Sequence, residues 1–359
     1  MNARYKPVVI FAVLIVLIGF SFVVLLSEEK KDEPKDPADP SALNSQITLA
    51  VDKGLKFLAS QQSKTGMIGA RFQVFVNSVA GLAFLASGNL PGEGRYGDNI
   101  HAARRYLVNS ATKLGYICED EVSGGASRMH GHGFATWFLA ELYGTSRQSG
   151  IEVEEEVKTL LKKAIDVCET SQSNEGGWYY TPQKGGDEGS ITVCIVQALR
   201  AARNIGLCVN KQVIDKGVDY LKKSANPDGS FKYSLGGGSR GGTFPLAAGG
   251  VSSLCLYGMY DAPETQKGLE YILKFKPGTP NNWSAYPYYS NFYATLAMFL
   301  AGEKYWDDWF PLEAKTLLGK QTADGSWIDQ SEGGTPEYAT ALACLTLQIP
   351  LQYLPLFHK

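Results

Sequence analysis

One short pattern recurs along most of this 359-residue chain. A basic residue and a Gly or Ala open it, an aromatic and an aliphatic residue follow, and Gln and Gly-x-aromatic close it. Residues 163–178 match nearly every position of the pattern. Equivalent positions lie 49, 61, 53, 51 and 45 residues apart, at Leu58, Leu107, Cys168, Leu221, Ile272 and Leu317. A period of about fifty residues is typical of an array of supersecondary units.

The other copies of the pattern are less complete. The first has Lys53-Gly54, Gln62 and Gly66, but Ile68 stands in the aromatic position. Residues 216–231 lack only the Gln, which is Ala225, and residues 321–327 supply the second half alone. Two further copies, around residues 106–115 and 267–283, keep only parts of it. Six units in register are therefore predicted.

Each unit predicts two helices. The first is amphipathic, because apolar residues such as Leu55 and Leu58 recur at spacings of three and four with lysines between them. Turn residues such as Asp228-Gly229 end it. The second run is apolar nearly all round, at residues 79–86, 134–143, 191–202, 251–260, 292–301 and 338–347. A helix of that kind must be buried on most sides, so the first helices are outer and the second inner.

The six units are predicted to close into a ring. An open solenoid needs polar terminal caps, yet the last inner run, residues 338–347, is as apolar as the others. The repeated Gln and Trp have a structural interpretation. The Gln amide bonds backbone at the end of an outer helix, and the indole packs over it as a clasp.

The repeat resembles the QW motif of the squalene-hopene cyclase and prenyltransferase repeat proteins over about residues 47–350. The resemblance implies an all-α fold, an α/α toroid of six helical hairpins in two concentric rings. It also implies an apolar central cavity, which holds isoprenoid chains in those relatives. We assign residues 47–359 to this toroid.

The catalytic residues of those relatives are replaced or absent. Such cyclases protonate their substrate with an Asp-x-Asp-Asp run, and the matching stretch here is residues 188–192, with Ser190 and Ile191 in place of the two central carboxylates. Protonation of an alkene needs a strong, buried carboxylic acid. Polyene cyclisation is therefore not expected.

Zinc chemistry is not expected either. The prenyltransferases use an Asp-x-Cys pair with a distant His, and the thioester proteins that share the toroid use Gly-Cys-Gly-Glu-Gln. The second motif is absent, and the one Asp-x-Cys, Asp166-Val167-Cys168, lies inside the repeat, with Cys168 at the repeated aliphatic position. The six cysteines are scattered singly, at Cys118, Cys168, Cys194, Cys208, Cys255 and Cys344. We predict no metal and no other cofactor. The net charge of −2 gives no reason to expect nucleic acid.

A membrane anchor is predicted before the toroid. Residues 8–26 form nineteen uncharged residues, long enough to span a bilayer, after an N-terminal tail of residues 1–7. We interpret them as an uncleaved signal anchor of a single-pass protein, although Gly19-Phe20-Ser21 is a weak cleavage candidate. Residues 27–46 are rich in Asp, Glu, Lys and Pro, which predicts a disordered tether.

The side of the membrane is less firmly indicated by the charges. Lys30, Lys31 and Lys35 after the anchor outnumber Arg4 and Lys6 before it. Short basic N-terminal tails usually stay in the cytoplasm, however. The toroid is therefore predicted on the exported side, periplasmic or extracytoplasmic.

Polar residues before the inner helices are the candidates for a site, because helix N-termini at the mouth of a ring favour polar or anionic ligands. These residues are Arg128, His130 and His132; Asp187, Glu188, Ser190 and Thr192; Tyr288, Tyr289, Asn291 and Tyr293; and Glu337 and Tyr338. The structural alternative is that they cap helix ends. As ligand-binding residues we select His130, His132, Asp187, Tyr288, Tyr289 and Tyr293, and as acid or base His132, Asp187 and Glu188. A metal pair of His130 and His132 lacks an identifiable third ligand.

Two functions of different class remain open. One is a binding module that holds an isoprenoid, a lipid or a peptide in the central cavity at the membrane surface. The other is an enzyme on isoprenoid substrates, transferase or cyclase-like, with an unrecognised acid or base. The replaced cyclase acids and the lack of an expected zinc site favour the binding module.

Overall fold

The computed structural model describes residues 40–119, 128–148, 155–237, 241–279, 286–330 and 334–358. These residues form twelve α-helices and two short 3-10 helices, and their extended pairs are isolated bridges. The α-helices are α1 (Pro40–Gln61), α2 (Gln73–Ala86), α3 (Gly97–Asn109), α4 (Arg128–Gln148), α5 (Glu155–Ser171), α6 (Gly189–Asn204), α7 (Lys211–Ser224), α8 (Phe244–Leu256), α9 (Pro263–Leu273), α10 (Pro287–Ala301), α11 (Glu303–Lys320) and α12 (Pro336–Gln348).

Inner and outer helices alternate along the chain. In α2 every residue after Gln73 is buried, and in α10 every residue before Ala301 is buried. Helix α7 instead buries one stripe, which includes Val213, Tyr220 and Leu221, and exposes lysines on its other side. The helices that are apolar all round are therefore inner, and the amphipathic ones are outer, as predicted.

The inner helices close into a ring. Each even-numbered helix packs against the next even-numbered helix, and α12 packs against α2. At this seam Gln348 Nε2 donates a hydrogen bond of 3.1 Å to Ala83 O. The first outer helix, α1, packs mainly against α12, so the last hairpin of the ring pairs the two ends of the described chain. The prediction of an all-α, α/α toroid is confirmed.

Several predicted boundaries need correction. The predicted inner run 251–260 ends early, because α8 stops at Leu256 and Gly258 adopts a positive φ of 76°. Helix α1 begins at Pro40, so the tether prediction is wrong for residues 40–46, which are helical. The rest of the predicted tether and the anchor at residues 8–26 lie outside the described residues. Among the helices described, none is both long and apolar enough to cross a membrane.

The repeated Gln joins neighbouring units. Gln172 Nε2 donates to Gly176 O at 2.9 Å, in its own turn, and to Val213 O at 2.8 Å, in the next outer helix. The indole Nε1 of Trp178 donates to Cys168 O at 2.7 Å, in the preceding outer helix. The predicted clasp therefore does bond backbone, but its Gln also reaches across to the next unit.

The repeated glycines explain the Lys-Gly pair of the pattern. A Cβ added at Gly176 would lie 2.4 Å from Lys216 O, so the turn packs directly on the next outer helix. The following Gly217 leaves room for an indole, because a Cβ there would lie 3.3 Å from the Trp178 ring. In the unit where Ile117 replaces the aromatic residue, Ala164 replaces the glycine. A large aromatic residue in the turn is therefore paired with a glycine in the next outer helix, and a smaller isoleucine is paired with an alanine.

The C-terminal residues cover the end of the ring at which the inner helices finish. The 3-10 helix Ile349–Leu351 contacts α10 and α12, and the 3-10 helix Pro355–Phe357 contacts α4 and α6 on the opposite side. Ile349, Leu354 and Phe357 are completely buried. This segment therefore crosses the far end of the ring, and the other end, where the inner helices begin, is called the mouth below.

Candidate functional site

A chain of hydrogen bonds links α4 to α6 at the mouth. Glu188 is the N-cap of α6, and its Oε2 accepts from Ile191 N at 2.9 Å and from Ser190 Oγ at 2.6 Å. Ser190 Oγ also lies 2.9 Å from His130 Nε2. With the hydroxyl proton of Ser190 directed to the carboxylate, the Ser190 oxygen can accept from the tautomer of His130 that carries its proton on Nε2. Glu188, Ser190 and His130 are called the polar chain below.

The three members of the polar chain differ in exposure. Glu188 is only 1% exposed, whereas Ser190 and His130 are half-buried. Burial raises the pKa of the Glu188 carboxyl above its ordinary value, and the hydrogen bonds from Ser190 and Ile191 act in the opposite direction. The carboxyl is thus a buried group with a raised pKa, hydrogen-bonded to the hydroxyl of a half-buried serine.

One turn below Ser190, contacts cross the interior of the ring. Cys194 lies on the same face of α6, and its Sγ is 3.7 Å from Tyr289 OH and 3.8 Å from Tyr293 OH. Helix α8 stands between α6 and α10 in the ring, so these contacts span the interior. Burial raises the pKa of the Cys194 thiol to about 12, which keeps it protonated and unreactive.

Aromatic side chains fill the interior below this level. The ring centroids of Trp137 on α4 and Phe292 on α10 lie 6.1 Å apart, although these helices face each other across the ring. Closer to the mouth, Phe75 contacts Phe134 at 4.5 Å and Tyr338 at 5.6 Å between centroids. Phe75, Phe134 and Tyr338 are called the aromatic wall below, and the contact of Trp137 with Phe292 crosses the ring beneath it.

Two loop tyrosines stand beside the polar chain. Tyr180 O accepts from Met129 N at 3.1 Å, and Tyr233 O accepts from Gly189 N at 2.8 Å, at the starts of α4 and α6. The two tyrosine hydroxyls hydrogen-bond each other. The ring of Tyr180 lies 6.4 Å from that of His130. These loops therefore fix both helix starts that carry the polar chain.

His132 lies away from the mouth, in the contact with the outer layer. It is completely buried, its Nδ1 accepts from Ile117 N at 3.2 Å, and its Nε2 lies 3.2 Å from Ala164 O. Burial lowers the pKa of the imidazole to about 4, so the ring is neutral. In the next unit Thr192 Oγ1 accepts a hydrogen bond of 3.1 Å from Trp178 N, just as His132 Nδ1 accepts from Ile117 N. His132 thus occupies a repeated structural position.

Asp187 and Tyr288 also have structural partners. The Asp187 carboxylate accepts from Tyr220 OH at 2.7 Å, Leu235 N at 2.6 Å and Gly236 N at 2.9 Å. Tyr288 OH donates to Ile328 O at 3.3 Å, on the side of the outer layer. Both side chains therefore hold loops to helices.

Of the sequence candidates, the structure brings together His130, Glu188, Tyr289 and Tyr293 on the inward side and directs His132, Asp187 and Tyr288 elsewhere. The sequence interpretation named Ser190 among the candidates, with capping as the alternative, but did not select it as a binding or catalytic residue, and it did not single out Cys194, Phe75 or Tyr233. One signal was available, because Ser190 and Cys194 are spaced by four residues and share a helix face.

Sequence comparisons found no relatives: no known protein family matches the chain, and no curated protein matches it. Solved structures do match. A variant of the type II terpene cyclase MstE from Scytonema, in complex with merosterolic acid A, is 14% identical and has a TM-score of 0.61, over 86% of this chain and 98% of that one. A protein from Actinoplanes is 16% identical with a TM-score of 0.56, over 84% and 98%.

The chain is also similar to a carbohydrate-active enzyme. An inactive variant of the α-1,6-mannanase GH76A of Salegentibacter sp., in complex with α-1,6-mannotriose, is 9% identical with a TM-score of 0.60, over 88% of this chain and all of that one. At such low identities these similarities support the toroid fold alone. The terpene cyclase and the mannanase share that fold while their ligands differ, so the function must be argued from the site.

Proposed function

We propose that the toroid is a membrane-anchored binding module that holds an amphipathic ligand, an isoprenoid, a lipid or a peptide, at the mouth of its inner ring. The observation that carries this proposal is the position of the polar chain beside an aromatic wall. His130 and Phe134 lie one turn apart on α4, so the polar chain and the ring contact of Phe134 with Phe75 are neighbours on this helix.

The ligand is placed at the mouth rather than in the centre of the ring. The contacts of Cys194 with Tyr289 and Tyr293, and of Trp137 with Phe292, occupy the interior. A long chain threaded through the ring would have to displace these buried side chains. An apolar chain lying along the mouth needs no such displacement.

The experiment is native mass spectrometry of the full-length protein, extracted in detergent from its own cells. A bound mass is expected in the wild type and is expected to be lost in His130→Leu. The control is His101→Leu, a histidine on the outer helix α3. A wild-type protein without bound mass, or equal retention in both variants, would contradict the proposed site.

Residues 8–26 are proposed to anchor the toroid at the outer face of a membrane, through residues 27–39 as a tether. The proposal is supported by the uncharged run of nineteen residues and by the charged, Pro-rich composition after it. The test is a fusion after Lys359 to a reporter that works only when it is exported, and this fusion is expected to show reporter activity. If instead only a fusion to a reporter that works in the cytoplasm were active, the toroid would lie on the inner side.

A further inference from the structure

The hydroxyl of Ser190 differs from those of other serines in the inner ring. Ser78 Oγ donates to Val74 O at 2.6 Å, and Ser252 Oγ donates to Gly249 O at 2.9 Å, each within its own helix. Ser190 Oγ instead lies between two ionisable side chains, Glu188 at 2.6 Å and His130 at 2.9 Å. An arrangement of this kind is what activates an oxygen nucleophile in enzymes.

The residue at the N-cap of α6 is also of an uncommon type for that position. Ser, Thr, Asp and Asn are the preferred caps, and Thr335 caps α12 in that way by accepting from Tyr338 N. Helix α6 uses Glu188, whose longer side chain also reaches the hydroxyl of Ser190. A cap alone does not need this second contact.

The position in the helix favours the same chemistry. Ser190 is the second residue of α6, so the positive end of the helix dipole stabilises negative charge that develops on its oxygen. Ser190 is also the half-buried residue of this pair, while Glu188 is buried beneath it. The hydroxyl therefore belongs to a half-buried residue at the helix start, and its base is shielded from water.

We propose that Ser190 is a nucleophile that attacks the carbonyl carbon of a carboxylic ester of an apolar chain bound at the mouth, with Glu188 as its general base. This rests on the proposed function, which places an amphipathic ligand there. A neutral ester fits better than a phosphate ester, because the Glu188 carboxylate repels an anion next to Ser190. The aromatic wall of Phe75, Phe134 and Tyr338 takes the apolar chain.

The reaction proceeds in two balanced steps. In the first, a bond forms between Ser190 Oγ and the carbonyl carbon, the hydroxyl proton moves to Glu188 Oε2, and the ester C–O bond breaks as Glu188 returns that proton to the leaving alcohol. In the second, water attacks the acyl group and gives a proton to Glu188. The bond to Oγ then breaks, Ser190 recovers the proton, and a carboxylic acid is released. His130 is a positioning residue, since its Nε2 proton holds the Ser190 oxygen in line.

The test is covalent labelling of the full-length protein by an alkyl fluorophosphonate, followed by peptide mass spectrometry. The Oγ–P bond forms as fluoride leaves and Glu188 takes the hydroxyl proton. We expect an adduct on Ser190 in the wild type and in Ser78→Ala, and none in Ser190→Ala. Glu188→Gln keeps an oxygen for Ile191 N but loses the base, so labelling is expected to slow by about 100-fold or more. His130→Gln retains an N–H donor and is expected to label faster than His130→Leu.

Each remaining outcome overturns a distinct statement. No adduct on the folded wild type, an adduct only at another residue, or undiminished labelling of Glu188→Gln would refute the nucleophile. Equal labelling of His130→Gln and His130→Leu would refute the positioning role. Native mass spectrometry of the wild type and of His130→Leu tests binding separately, so a bound mass in a wild-type protein that the fluorophosphonate does not label would refute the nucleophile and leave the binding proposal intact.

Discussion

Gln321 Nε2 donates a hydrogen bond of 2.8 Å to the carbonyl oxygen of Ala50, 271 residues earlier in the chain. The same nitrogen bonds Gly325 O at 2.9 Å. Gln62 makes the equivalent pair of bonds to Gly66 O and Asn99 O. The seam between the last and the first outer helix therefore uses the contact that joins neighbouring units elsewhere in the ring.

Replacement of Gln321 by Ala is expected to weaken the seam. The carbonyls of Ala50 and Gly325 lose their donor, so the free energy of unfolding falls by about 1–3 kcal/mol. Urea denaturation measures this, and hydrogen exchange in α1 is expected to accelerate. The control is Gln61→Ala, an exposed residue whose amide, among the described residues, bonds Ser60 Oγ alone, with a change within about 0.5 kcal/mol. Equal losses in the two variants would argue against a sealed ring.

Gly217 tests the size match between the turn and the next outer helix. Gly217→Ala places a Cβ 3.0 Å from Val196 and 3.3 Å from Trp178, which is expected to destabilise by about 1–3 kcal/mol through overpacking. Gly319→Ala is the control, since no atom of the described residues lies within 4 Å of a Cβ there and Ala favours a helix by up to about 1 kcal/mol.

The same match predicts coupling between Gly217 and Trp178. The double variant Trp178→Ile with Gly217→Ala reproduces the natural combination of Ile117 and Ala164. Its loss of unfolding free energy is expected to be smaller than the sum of the two single losses. Strict additivity in urea denaturation would mean that the two positions do not share their space.

The fold was predictable because it is written in repeated local patterns. The Gly-x-aromatic pattern, which is Gly176 and Trp178 in the third unit, recurs along the chain, and its glycine packs against the backbone of the next outer helix. The apolar last helix, α12, indicated closure because it has no polar face to present to water. Patterns of this kind need no knowledge of long-range contacts.

The site was only partly predictable, for a physical reason. An inner helix is apolar on all sides, so its periodicity does not tell which face lines the ring. Tyr288 and Tyr289 are neighbours, yet one bonds Ile328 O on the outer side and the other contacts Cys194, 95 residues away. His132 was chosen for its residue type, but its partners lie in other units, at Ile117 and Ala164.

His132 is expected to make the fold sensitive to acid. Its pKa is about 4 in the folded protein, below the ordinary 6.5, so the unfolded chain binds more protons between these values. The stability that this group contributes is therefore complete above about pH 6.5 and is lost as the pH falls towards 4. His132→Asn, which places at this position the residue type that accepts from Ile68 N in the first unit, removes the titration and is expected to flatten this slope.

The check is a series of urea unfolding curves between pH 4 and 7. His101→Asn, on the outer helix α3, serves as the control and is expected to keep the wild-type slope. A slope in His132→Asn as steep as that of the wild type would show that other groups cause the acid sensitivity.

Glu141, at the far end of the ring, is expected to make the fold less stable as the pH rises, the opposite of the effect of His132. Its Oε1 accepts from Trp137 Nε1 at 3.0 Å and from Leu356 N at 3.1 Å, while its Oε2 has no hydrogen-bond partner among the described residues. Burial raises the pKa of this carboxyl from 4.5 to about 8, and that of Glu313 likewise. The folded protein therefore holds protons that the unfolded chain has released.

Stability from these two carboxyls is complete below about pH 4.5 and is lost as the pH rises to about 8, because ionisation in a buried site is unfavourable. Glu141→Gln keeps an oxygen for Trp137 and Leu356 but cannot ionise, so it is expected to reduce the loss of unfolding free energy between pH 5 and 8. The double variant with Glu313→Gln is expected to reduce it further. Urea unfolding across this range measures both, with the exposed Glu155→Gln as the control. If Glu141→Gln lost as much stability with rising pH as the wild type, the carboxyl would already be ionised in the folded ring, and the covering of its far end by Leu356 would not depend on a protonated Glu141.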